Sequence, residues 1–143
     1  MNTSLFNALG YFLEVMRPFV VDVLKNHFPG EPWEGVLYAK LSPDKQRMWK
    51  ISAENIAASG GDSKNLIDFN NLVSFAISFK DQVIQEVGGK QEANRFISYL
   101  QELQAARNKC QHYQELSSTE VEMAFGSMKM IAIMLELEDL KNE

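Results

Sequence analysis

The residues best able to do chemistry stand together: Arg107, Asn108, Lys109, Cys110, Gln111 and His112. A guanidinium neutralises a phosphate and clamps it with two parallel hydrogen bonds, and an imidazole gives or takes a proton near neutral pH. On a helix Asn108 and His112, four positions apart, share a face, so the amide can orient or hydrogen-bond the ring. Arg107 precedes His112 by five positions. That places it about 140° round the helix from His112, flanking the shared face. Guanidinium, imidazole and amide on adjoining faces at an open helix end suit a phosphodiester. The plainer alternative is a solvated polar terminus that carries one His.

Other chemistries find little support. A zinc or iron site needs several His, Cys or carboxylate ligands at short spacing, and the two His are 85 positions apart with one Cys between them. Neither a metal nor a cofactor is therefore expected. Gly88-Gly89-Lys90-Gln91 fails as a phosphate loop, because Ile84 stands where the first Gly is required and Gln91 replaces the magnesium-binding Ser or Thr. No Gly-x-Ser-x-Gly elbow exists, and Cys110 and His112 diverge on a helix. His27, before Pro29, reads as a helix-terminal residue that complements the dipole.

The elements that must position the motif all read as helices, since no stretch alternates long enough to demand a strand. The expected class is all-α, a compact bundle of four to five helices. A long first helix over about 4–27 carries Leu5, Leu9, Phe12, Met16, Phe19, Val20, Val23 and Leu24 as a stripe, with a kink expected at Pro18. Residues 33–41 form a connector whose aromatics, Trp33 and Tyr38, pin it to a core. Ser42-Pro43 opens a second helix to about Ala58. A third runs from Asn65 or Asp68 to Val87, ended by Gly88-Gly89, and a fourth from Lys90 to His112 carries the motif. Ser117 with Glu120 makes a capping box for a fifth helix to about Leu140. That helix bears two apolar stripes, Val121, Phe125, Met128, Ala132 and Leu135 on one and Met123, Met130, Ile133, Met134 and Leu137 beside it. So wide an apolar surface serves either deep burial in one core or a second protomer.

The chain of 143 residues, 45% hydrophobic and 10% aromatic, suits one globular domain over 1–143, without repeats or linker-like composition. The polar end from Glu138 onward suits a natural terminus or a junction with a further domain. One cysteine excludes an internal disulfide framework and favours a reducing, cytoplasmic setting, and the apolar run 130–135 is too short to cross a membrane. A net charge of -5 argues against a general nucleic-acid coat. Yet residues 90–113 hold four basic and two acidic side chains, whereas residues 114–143 hold two and seven. The motif lies in the basic island.

At these residues the chain resembles the HEPN superfamily, small all-helical domains whose ribonuclease members carry Arg, four to six residues, then His, with a polar residue after the Arg. Arg107-Asn108-Lys109-Cys110-Gln111-His112 fits that pattern, and Arg17-Pro18-Phe19-Val20, Trp33 and the long last helix fit the layout. The arrangement is most similar to the branch holding a nuclear RNA quality-control endonuclease and many bacterial defence-associated proteins. That branch often has Trp-Ala before the His, where this chain has Cys110-Gln111.

The resemblance implies a homodimer with two motifs facing across a cleft and metal-independent RNA cleavage through 2′-hydroxyl attack, leaving a 2′,3′-cyclic phosphate. Arg107 would hold the phosphate, His112 would transfer the proton, Asn108 would orient the imidazole, and Lys109 and Arg95 would contact the RNA backbone. A toxin or phage-defence effector with an antidote or activating partner is the implied setting. The alternatives are a non-catalytic HEPN-like module that dimerises or binds RNA, nucleotide or a partner, and a helical adaptor whose wide apolar last helix docks a partner; the acidic charge of that helix would separately suit a basic partner or repel RNA until activation.

Overall fold

The computed structural model describes residues 3–112 and 114–136. These form seven α-helices: α1 Thr3–His27, α2 Trp33–Tyr38, α3 Pro43–Ser59, α4 Phe69–Ser78, α5 Lys80–Val87, α6 Lys90–Gln111 and α7 Ser118–Leu135. A short 3-10 turn, Ser63–Leu66, stands between α3 and α4, and no strand occurs among the described residues. The described residues are all-α.

Each boundary has a local cause. Ser42 accepts a hydrogen bond from the Lys45 backbone N–H, and Pro43 opens α3 where its missing N–H costs nothing. Asp68 and Asn71 cap α4 reciprocally, and Ser117 and Glu120 do the same for α7. Gly88 ends α5 at φ 94°, and Gly89 follows at φ 155°, so two residues free of a Cβ turn the chain directly into α6.

Helix α1 is the spine. Leu5, Leu9, Phe12, Met16, Val20 and Leu24, all fully buried, recur at helical spacing, and α1 packs on α2, α4, α5, α6 and α7. The opposing stripe of α6, Ala93, Phe96, Leu100, Leu103, Ala106 and Cys110, closes the core. Aromatic rings knit the elements: Phe19 meets Phe75 and Phe96 edge-on at 6.4 and 6.1 Å, and Phe28 meets Phe79 at 5.7 Å. Arg17 fastens the 3-10 segment to α1 through Nε, which donates to the Ile67 carbonyl at 2.8 Å.

Two features depart from the sequence reading. The connector is itself helical as α2, and Trp33 packs edge-on against Trp49 of α3. The third helix divides at Phe79, whose backbone (φ -112°, ψ 35°) leaves the helical region while its ring stays buried between Phe75 and Phe28. These two features raise the expected four to five helices to seven. Helix α1 continues through Pro18, which together with Glu14, whose carbonyl loses its intrahelical bond there, is exposed.

On α7 the buried side is Ala124, Ser127, Met128, Ile131 and Ala132, between the two expected stripes. Met128 and Ala132 are buried as expected from the first stripe, but Phe125 is 41% exposed. Met123, Met130 and Ile133 of the second stripe are 50%, 38% and 51% exposed; Leu137 and the stretch to Leu140 lie outside the described residues. No described helix is long and apolar enough to cross a membrane.

Candidate functional site

Helix α6 carries the motif, and its last turn fixes where each side chain goes. Cys110 points into the core at 2% exposure, which anchors the helix end and withdraws the thiol from chemistry. Six residues spread over the circumference of a 3.6-residue turn, so burying Cys110 sets the direction of the others.

Arg107 turns toward α1. Its guanidinium lies over the ring of Phe6, 4.8 Å from carbon to ring centroid, and Nη1 is buried without a hydrogen-bond partner among the described residues. Asn108 and His112 are exposed. They are joined by the backbone, the His112 N–H donating to the Asn108 carbonyl at 3.1 Å, while no side-chain bond links them. Arg107 and His112 are likewise unconnected, as their angular separation requires.

The turn bearing His112 is stapled on both sides. His112 is the C-terminal cap of α6 (φ -95°, ψ 13°), and the Gln114 N–H donates to the Lys109 carbonyl at 2.9 Å. Lys109 pairs with Glu120, and the other Glu120 oxygen accepts the Ser117 N–H at 3.1 Å. One carboxylate thus ties the end of α6 to the start of α7. Sequence reading found Glu120 as a capping residue but not as the partner of Lys109, since no spacing rule connects residues across a loop.

The Lys109 side chain, with the Ser117 amide behind it, holds the Glu120 carboxyl below its ordinary value. A carboxyl depressed in the folded state contributes stability that is fully present above its unfolded-state pKa and lost as pH falls through the folded value. The stabilising advantage of wild type over Glu120→Gln is therefore expected at neutral pH and should shrink on acidification below about pH 4, read from paired melting curves. Ser117→Ala, which removes the reciprocal cap, should cost about 1 kcal/mol at neutral pH by urea denaturation.

Both candidate backbone-contact residues hold carboxylates. Lys109 faces Glu120, and Arg95 lies 3.7 Å from Glu92 one turn earlier on α6. A cleft of about 180 Å³ between α6 and α7 is floored by Ala105, Ala106, Ala124 and Met123 and rimmed by Lys109 and Glu120. His27 sits elsewhere, with Nε2 3.4 Å from Glu86 of α5. Among the described residues no group of three His, Cys, Asp or Glu side chains lies close enough to hold a metal ion. Phe6 is the site component that sequence reading missed. It stands beside the stripe of α1, and nothing in its local pattern announces a cationic neighbour from α6.

The chain is an all-helical member of the HEPN superfamily. Within it, the chain belongs to the family described as Swt1-like HEPN, whose family model matches residues 7–136. HEPN domains are typically nucleases, generally of the ribonuclease type. No curated protein and no solved structure matches the chain.

Proposed function

We propose that this protein is an endoribonuclease that needs no metal: the ribose 2′-oxygen attacks the adjacent phosphorus, the 5′-oxygen of the next nucleotide leaves, and the upstream fragment ends in a 2′,3′-cyclic phosphate. The observation that carries this reading is the presence, at one helix end, of an exposed imidazole and, unconnected to it, a guanidinium that has an unpartnered buried nitrogen. Arg107 neutralises the phosphate and stabilises the charge that grows on its oxygens. His112 moves a proton, from the 2′-hydroxyl or to the leaving oxygen.

The reaction needs both a base and an acid, and the motif of one chain offers one His. A second copy supplies the other group, and α7 provides a surface for it. Thr119, Met123, Gly126, Met130 and Ile133 are all exposed and recur at alternating spacings of four and three, a seam that a second helix can fill. Met123 also lines the cleft beside Lys109, three residues from His112, so two chains joined there bring their motifs near one another. Met130→Lys should shift the protein from dimer to monomer in sedimentation, with cleavage falling in proportion to the dimer lost.

A toxin or defence effector held silent by an antidote or activating partner is the biological setting we propose, in a cytoplasmic location. The second reading, a non-catalytic HEPN-like dimerisation or RNA-binding module, is favoured by the carboxylates on Lys109 and Arg95, which reduce the charge available to a substrate. Wild-type and His112→Ala proteins incubated with structured and unstructured RNA in excess EDTA separate the two. Fragments ending in cyclic phosphate from the wild type alone support the enzyme. Cleavage by neither, with RNA retained, supports the module.

A further inference from the structure

Arg107 combines an aromatic neighbour with a buried, unpartnered nitrogen. Among the described residues Arg47, Lys64, Arg95 and Lys109 meet carboxylates, Arg17 donates to backbone carbonyls, Lys45 donates to Ser74, and Lys50 lies over the Tyr38 ring at 5.6 Å. Arg107 has an aromatic face 4.8 Å away and no anion, and its Nη1 is buried without an acceptor. A buried N–H without an acceptor is unfavourable in itself, so the contact holding it there must be firm. Phe6 is suited to that task. It follows the fully buried Leu5 on α1 and packs against the core, so the ring has little freedom.

An arginine side chain on a solvated helix end samples many rotamers, and its guanidinium clamps a phosphate only when the plane is set. A ring against the guanidinium restricts its rotamers, removes water from that side, and leaves the nitrogens other than the buried Nη1 for an anion. We propose that Phe6 is a positioning residue of the site: its ring holds the Arg107 guanidinium in the orientation from which it clamps the scissile phosphate. The identity of the anion rests on the endoribonuclease reading, whereas the platform itself does not.

The test uses the full chain with Phe6→Leu, which keeps an apolar side chain but removes the π face, and Phe6→Tyr, which restores the face. Phe6→Leu should lower kcat about tenfold with KM changed less than about twofold, because the oriented guanidinium acts on charge that grows in the transition state. The Arg107 Nε–H proton resonance, shifted upfield by the ring in wild type, should return to its ordinary position in Phe6→Leu. Phe6→Tyr should keep both the rate and the shift.

Wild-type rate in Phe6→Leu overturns the proposal. So does equal loss in both variants alongside a lowered melting temperature, which assigns Phe6 to packing alone. If the wild type cleaves no RNA, the endoribonuclease reading falls, and the resonance together with an inorganic phosphate titration decides the platform. A ring-shifted Arg107 signal that moves with phosphate in wild type, and moves less in Phe6→Leu, supports it; an unshifted wild-type signal overturns it.

Discussion

His112→Ala lowers RNA cleavage by about 10² to 10⁴-fold, the range expected when a general acid or base is removed, with the melting temperature changed by less than about 2 °C. The small thermal effect follows from position: His112 is exposed, caps α6 through its backbone, and keeps that backbone bond as alanine. Arg107→Ala removes comparable activity but also empties the face of Phe6, so its melting temperature falls somewhat more. Arg107→Lys is the sharper variant. It keeps the charge but lacks both the planar face that lies on Phe6 and the two-pronged grip on a phosphate, and most of the activity should go with them. Cleavage rates unchanged in both alanine variants would remove the chemistry assigned here, whatever the fold.

The second large effect concerns the core. Phe75 is fully buried, meets Phe19 edge-on at 6.4 Å and stacks on Phe79 at 5.7 Å. Phe75→Ala leaves a cavity where α4 faces α1 and should cost about 3 to 5 kcal/mol by urea or thermal denaturation. For a domain of this size that lowers the melting temperature by about 10 °C or more and consumes a large share of a net stability of about 5 to 15 kcal/mol. Phe75→Leu, which keeps most of the volume, should cost about 1.5 kcal/mol or less. A loss of less than about 1 kcal/mol on Phe75→Ala would mean that the α1 and α4 faces are not packed as described. Measured beside His112→Ala, the pair separates loss of chemistry from loss of fold.

The helical class was legible because each stripe repeats at the helical period and each helix carries its own stop signals. Ser42-Pro43, Asp68 with Asn71, and Ser117 with Glu120 act within four residues, so a linear reading finds them or their neighbours. The break at Phe79 was not legible, because that residue leaves helical geometry to place its ring against Phe75 and Phe28, and those contacts are made between elements. Helix α2 was missed for a related reason: six residues are too few to show a period, and its packing depends on Trp49 from α3.

On α7 the sequence offered two apolar stripes and no means of choosing. The structure buries the sector between them and leaves Met123, Met130 and Ile133 outward, since α6 and α1 reach only part of the circumference. The pattern along one helix registers which residues are apolar; which of them meet a neighbour depends on where that neighbour lies.

The motif shows the same division. Arg107, Asn108 and His112 could be singled out because their identities and their spacing along one helix are local facts. Spacing placed Arg107 beside the face that Asn108 and His112 share rather than on it. That Arg107 rests on Phe6, that Lys109 is held by Glu120, and that no side-chain bond joins Asn108 to His112 were decided by the tertiary structure. Local hydrogen bonding and periodicity act over a few residues and are written along the chain. Side-chain partners are chosen by packing, which brings together positions that no linear interval relates.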